Sequence, residues 1–305
     1  MNEQGAPPEQ APPGPPVPPF LKRIQPVTFA VVSLFAVFFF YQIVAGAVTL
    51  LLFRGRVTDD NVTLFRWATV IGELTCILLP TVVLVKLRHS QIRGFFRFRI
   101  PHTTEIVVTV IGIFALQQML EGYMALQEAI PMPAPVQHYV EMLRSLFEES
   151  YRILVTANSP LEFIAVVCTV ALVPAIAEEV LFRGLVQRSM EEAVGGLSAA
   201  LITGVIFGAY HLNPFSVVPL MALGAYFGFI VYRSQNITLA ISAHFFNNLL
   251  ACTAVYLQFN DDFVAIAPRG HVSNTVLLVN FVFFSLVFVA STYYFIRMTD
   301  HSESE

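Results

Sequence analysis

Three short groups of residues carry the side chains that could do chemistry in this chain. Glu178 and Glu179 open the first, with Arg183 four residues beyond the second carboxylate. Phe207 and His211 make the second group, and His244 with Asn248 the third. All three lie in apolar surroundings, where an ionised side chain at mid-membrane costs about 2.5 to 3.5 kcal/mol on insertion scales and so needs a partner or a task. Glu179 and Arg183 share a helix face and can pair. Glu178 is turned about 100° away from Glu179 and has no opposite charge at helical spacing, which leaves it free for catalysis. His244 and Asn248 project an imidazole and an amide from one helix face. A carboxylate with an imidazole can activate a water, and a second imidazole with an amide can stabilise the oxyanion that the attack creates. Peptide hydrolysis needs both functions.

The elements that position these groups belong in a membrane. The chain has 305 residues, 56% of them hydrophobic and 12% charged. That charged share is about half the roughly 25% usual in soluble domains. The net charge is -4 and the pI near 6.0, so there is no basic surface for nucleic acid. Cys76, Cys168 and Cys252 lie singly in apolar stretches and read as small packing residues.

An all-α polytopic bundle of about eight transmembrane helices is expected. Its apolar runs are Val27 to Phe53, Leu64 to Val85, Thr104 to Ile130, Leu161 to Phe182, Leu197 to Tyr210, Val217 to Tyr232, Ile237 to Phe259 and Thr275 to Ile296. The fifth and sixth are joined by a turn at Asn213 and Pro214, so a re-entrant pair is the alternative there. At 1.5 Å per residue, Glu178, His211, Asn248 and His244 fall about 18, 21, 17 and 10 Å above the expected inner helix ends, depths compatible with one site. Residues 1–26 read as a disordered Pro-rich cytoplasmic tail and 27–298 as the transmembrane helical domain, with a catalytic core at 160–258.

Positive charge sets the orientation. With both termini cytoplasmic, the inner side holds Lys22, Arg23, Lys86, Arg88, Arg93, Arg97, Arg99, Arg183, Arg188, Arg233 and Arg297. The outer side holds Arg54, Arg56, Arg66, Arg144, Arg152 and Arg269, beside Asp59, Asp60, Asp261 and Asp262. Between the third and fourth spans, Val136, Val140, Leu143, Phe147 and Leu154 recur at helical spacing among charges, as in a helix lying on the membrane. Such a helix covers a substrate route or, as the favoured reading, braces a loop.

Pro174 removes a backbone bond one turn before Glu178 and should kink that helix toward a wet cavity. Gly204 with Gly208, and Gly224 with Gly228, suit close helix packing. Asn247 is expected to pack. Glu73 and Glu121 interrupt apolar helices toward the outer side, where they either line the same cavity or bond to neighbouring helices, and they have no assigned role; His89, His102, His138, His271 and His301 read as solvated.

These motifs, in this order on hydrophobic helices, resemble the CPBP family of intramembrane proteases, which includes CaaX prenyl endopeptidases and bacterial Abi and bacteriocin-immunity relatives. The resemblance covers Val173 to Leu250. It implies an intramembrane glutamic endopeptidase without metal, in which Glu178 and His211 activate water, His244 and Asn248 form the oxyanion site, and Glu179 with Arg183 give support. The implied partners are membrane lipid and a peptide or protein substrate, prenylated or membrane-inserted; the expected location is the plasma membrane of a bacterium. Two alternatives stand beside it. Zn²⁺ on Glu178, His211 and His244 would leave a fourth position for water. A non-proteolytic immunity scaffold or transporter would use the same polar groups without hydrolysis.

Overall fold

The computed structural model describes residues 23–58, 60–89, 91–128, 130–257 and 274–300. The expectations for residues 1–22, Asp59, Phe259, Asp261, Asp262, Arg269, His271 and His301 fall outside the described residues. All regular structure among the described residues is helical. In chain order the helices are α1 (Pro26–Phe53), α2 (Val62–Arg88), α3 (Ile92–Phe96), α4 (Thr103–Glu128), α5 (Ala134–Val155), α6 (Pro160–Val194), α7 (Gly196–Tyr210), α8 (Val217–Ser234), α9 (Ile237–Tyr256) and α10 (Asn274–Asp300).

Each apolar run of the sequence is a helix, but seven of the eight, α1, α2, α4, α6, α8, α9 and α10, are long and apolar enough to cross a membrane. The protein is therefore a polytopic, all-α integral membrane protein, in which seven of the about eight expected helices among the described residues are long enough to be full spans. α7 has 15 residues, so it reaches only about 22 Å against a hydrocarbon core of about 30 Å. Gly195 bounds it at the start with a φ of 82°, and at its end Leu212 takes a φ of 53°. α6 is longer than expected. It runs for 35 residues and passes through two π-helical turns, Val167–Leu172 and Val180–Gln187. α1 and α2 carry similar turns at Phe39–Ala45 and Glu73–Leu78.

Two large apolar cores and a small third one, at Val155, Val166 and Cys252, hold the bundle together. The first joins Phe29, Val37, Ile77, Val85, Phe182 and Phe207 of α1, α2, α6 and α7. The second joins Ile113, Phe227, Ile230, Leu239 and Phe295 of α4, α8, α9 and α10. α7 and α8 close the gap between these two by running antiparallel in near contact. A methyl group at Gly204 would lie 2.4 Å from the Ala225 nitrogen, and one at Gly208 would lie 2.6 Å from the Val217 oxygen. Only glycine fits there, as the four-residue spacing led one to expect.

The amphipathic segment is the helix α5, and its end is fastened to α2. Arg66 is buried and donates from Nε to the Leu154 carbonyl at 3.0 Å, to the Thr156 carbonyl, and from Nη1 to Glu162 at 2.7 Å. The last carbonyls of α5, which have no partner within the helix, are satisfied this way. All three cysteines are free thiols.

Candidate active site

α6 separates the two adjacent carboxylates onto different faces. Glu179 turns into the protein, where Arg183 one turn on donates to its Oε1 at 3.0 Å, both side chains being wholly buried. Arg183 donates again to the Gly224 carbonyl at 2.8 Å, and its guanidinium stands over the rings of Phe207 and Phe227 at 4.8 and 5.4 Å. The same Glu179 oxygen faces His244 Nδ1 from α9 at 3.0 Å. A carboxylate accepts, so Nδ1 carries the proton and the far nitrogen, Nε2, is left for other work. The His244 ring is stacked on Phe227 with centroids 5.2 Å apart and planes 16° apart. Arg183, Glu179 and His244 thus form one buried chain across α6 and α9, with Arg183 bonded on to α8, which fixes the imidazole.

Glu178 is left with no ion partner on its own helix, and its Oε2 is buried without a hydrogen-bond partner among the described residues. It faces His211 Nε2 at 3.8 Å, beyond direct hydrogen-bond range. The His211 ring is oriented by its other nitrogen, because Nδ1 lies 2.7 Å from the Phe207 carbonyl. That carbonyl is among the last four of α7, which lack helical partners, and it can only accept. His211 Nδ1 therefore carries the proton, and Nε2 offers a lone pair to whatever lies between it and Glu178.

Pro174 explains the position of Asn248. In a regular α-helix the N–H of residue 174 would bond the carbonyl of Val170, and proline has no N–H. Asn248 Nδ2 donates to the Val170 carbonyl at 2.9 Å instead. Its Oδ1 accepts from Asn247 Nδ2 at 3.0 Å. Asn247 was expected only to pack; it faces the same cavity and holds Asn248, a role that one-in-four helical spacing does not reveal.

Glu178, His211, His244 and Asn248 all line a single cavity of about 680 Å³. Glu179 and Arg183 stand behind its wall. Pro174 and Asn247 line it too, as do Phe147, Tyr151 and Leu154 of α5, so the amphipathic helix forms a wall of the cavity as well as bracing a loop. Glu73 also lines the cavity, whereas Glu121 is away from it and accepts from Gln118 at 3.1 Å. Among the described residues no group of three or more His, Cys, Asp or Glu side chains is arranged to hold a metal ion. His89, expected to be solvated, is half-buried and stacked on Phe95 with centroids 4.0 Å apart. Burial, together with the nearby Arg88 and Arg188, pushes its pKa down to about 4.

Residues 160–250 match the family model described as type II CAAX prenyl endopeptidase Rce1-like. The matched segment takes in α6 to most of α9, and with them Glu178, Glu179, Arg183, His211, His244 and Asn248. Neither the curated proteins nor the solved structures give a match.

Proposed function

We propose that this integral membrane protein, with its Rce1-like domain, is an endopeptidase that splits a peptide bond in the cavity with a water activated by Glu178 and His211 and without a metal. The observation that supports this most is the 3.8 Å between Glu178 Oε2 and His211 Nε2. Two acceptors at that distance are both served by one water donating a hydrogen to each. Attack on the substrate carbonyl forms the O–C bond while Glu178 takes one water proton. The C–N bond then breaks, and that proton passes to the departing nitrogen.

The oxyanion formed in between needs donors. One is the second amide hydrogen of Asn248, which Val170 does not use. The other is His244 Nε2, which donates when the ring carries both protons. In that state Glu178, Glu179, Arg183 and His244 sum to zero charge, which suits a site withdrawn from water.

The matching family acts, by its description, on CAAX prenyl proteins. The apolar cavity walls, including Phe65, Met124, Phe147 and Leu223, suit a prenylated or membrane-inserted peptide, and we take that as the substrate class. The protein is further proposed to keep both termini in the cytoplasm of a bacterium. The test uses purified protein in lipid vesicles with a farnesylated CaaX peptide and a membrane-inserted peptide. Cleavage of either should fall about 10²- to 10⁴-fold in Glu178→Gln and in His211→Ala. It should survive chelation. Loss on chelation with recovery on adding Zn²⁺ would replace the metal-free mechanism by the zinc one. Unchanged behaviour of both folded variants in cells and in vesicles would favour a scaffold or transporter.

A further inference from the structure

Glu73 is a carboxyl that the hydrolytic scheme leaves unused. It sits on α2, outside the segment that matches the Rce1-like family, and it lines the same cavity as Glu178. Its side chain is 5% exposed, and its Oε2 is buried with no hydrogen-bond partner among the described residues. The Tyr41 hydroxyl of α1 hydrogen-bonds the carboxyl, which leaves Oε2 unserved, and Glu178 is near enough for the two carboxyls to interact. Both Tyr41 and Glu73 occupy π-helical turns, Phe39–Ala45 and Glu73–Leu78, a local departure from α-geometry that recurs at functional sites. A buried carboxyl oxygen without a donor, on a residue that lines a cavity, requires an explanation.

The shape of an amide supplies one. A trans peptide group is planar, with its C=O and N–H on opposite edges. α2 and α9 each pack against α6, so the Glu73 carboxyl enters the cavity from one neighbour of the Glu178 helix and His244 with Asn248 from the other. A substrate whose carbonyl oxygen points to the α9 donors presents its N–H toward α2. Resting on the endopeptidase reading, we infer that Glu73 accepts a hydrogen bond from the N–H of the scissile amide and so positions the leaving nitrogen. No proton is drawn from Glu73. The proton taken from water by Glu178 is the one that the nitrogen gains when the C–N bond breaks.

The test compares a matched pair of substrates, one with the scissile amide and one with an ester in its place, which has no N–H. Glu73→Leu should lower kcat/KM for the amide by about 3- to 10-fold, the effect of one hydrogen bond. The ester should change by no more than about twofold, since the bond in question is absent from it. Glu73→Gln keeps an acceptor and should recover much of the amide activity. Taking the amide-to-ester ratio within each variant removes any effect of a smaller folded fraction. Equal losses on both substrates, or an unchanged ratio, would overturn the assignment of Glu73 alone. A Glu178→Gln variant that still hydrolyses both substrates at the wild-type rate would instead overturn the endopeptidase reading beneath it.

Discussion

Glu178 and Glu179 are covalent neighbours with opposite surroundings, and their removal should have opposite effects. Glu179 neutralises the fully buried Arg183 and holds His244, so Glu179→Gln leaves an uncompensated charge in the interior. A loss of about 3 to 5 kcal/mol is expected, seen as a large drop in the thermal midpoint in detergent. Glu178 has no such partner, and Glu178→Gln should keep the midpoint within a few degrees while lowering cleavage about 10²- to 10⁴-fold. His89 gives a prediction in pH. Its pKa is pushed from 6.5 to about 4, so the unfolded chain binds more protons between those values. Its contribution to stability is present above pH 6.5 and is lost as pH falls toward 4. Scans of the thermal midpoint from pH 7.5 to 4 should therefore fall less steeply in His89→Phe than in the wild type, and equal slopes would contradict this.

The helices themselves were legible because hydropathy and length report them directly; every apolar run became an element. The site was legible only where regular spacing holds. Glu179 with Arg183 and Phe207 with His211 contact one another through one helical turn, as four-residue spacing requires. Glu73 was noted in the sequence without a role and Asn247 was expected to pack, because a π turn or a cross-helix contact decides what they do, and neither has a sequence period. Pro174 was legible as a missing N–H, but its link to Asn248 is a three-dimensional fact. Pro174→Ala would restore an N–H that competes for the Val170 carbonyl, so Asn248 should lose its anchor. Cleavage should drop by about 10-fold or more with the thermal midpoint unchanged or raised, in line with the loss of one positioning hydrogen bond. α5 is expected to depend on its clamp. Arg66→Ala should cost about 1 to 3 kcal/mol and expose residues 134–155 to limited proteolysis, because several carbonyls and Glu162 lose their donor.

At the scale of the molecule, the two larger apolar cores meet where α7 lies against α8, and the proposed catalytic groups stand on either side of that seam. His211 ends α7, Arg183 reaches the Gly224 carbonyl of α8, and Phe207 meets Phe227 across it at 6.3 Å. Gly204→Val would force α7 from α8 and should disturb folding and cleavage together, unlike Glu178→Gln, which touches chemistry alone. The shortness of α7 was not readable from hydropathy, which marks an apolar run without saying whether it completes a crossing. The account stands on Glu178 and His211 acting as one unit on a single water, and a double-mutant cycle on the rate of peptide cleavage tests that unit most directly. Glu178→Gln with His211→Ala should be no slower than the slower single variant. Losses that multiply as for independent sites, or a single variant that cleaves at the wild-type rate, would contradict it.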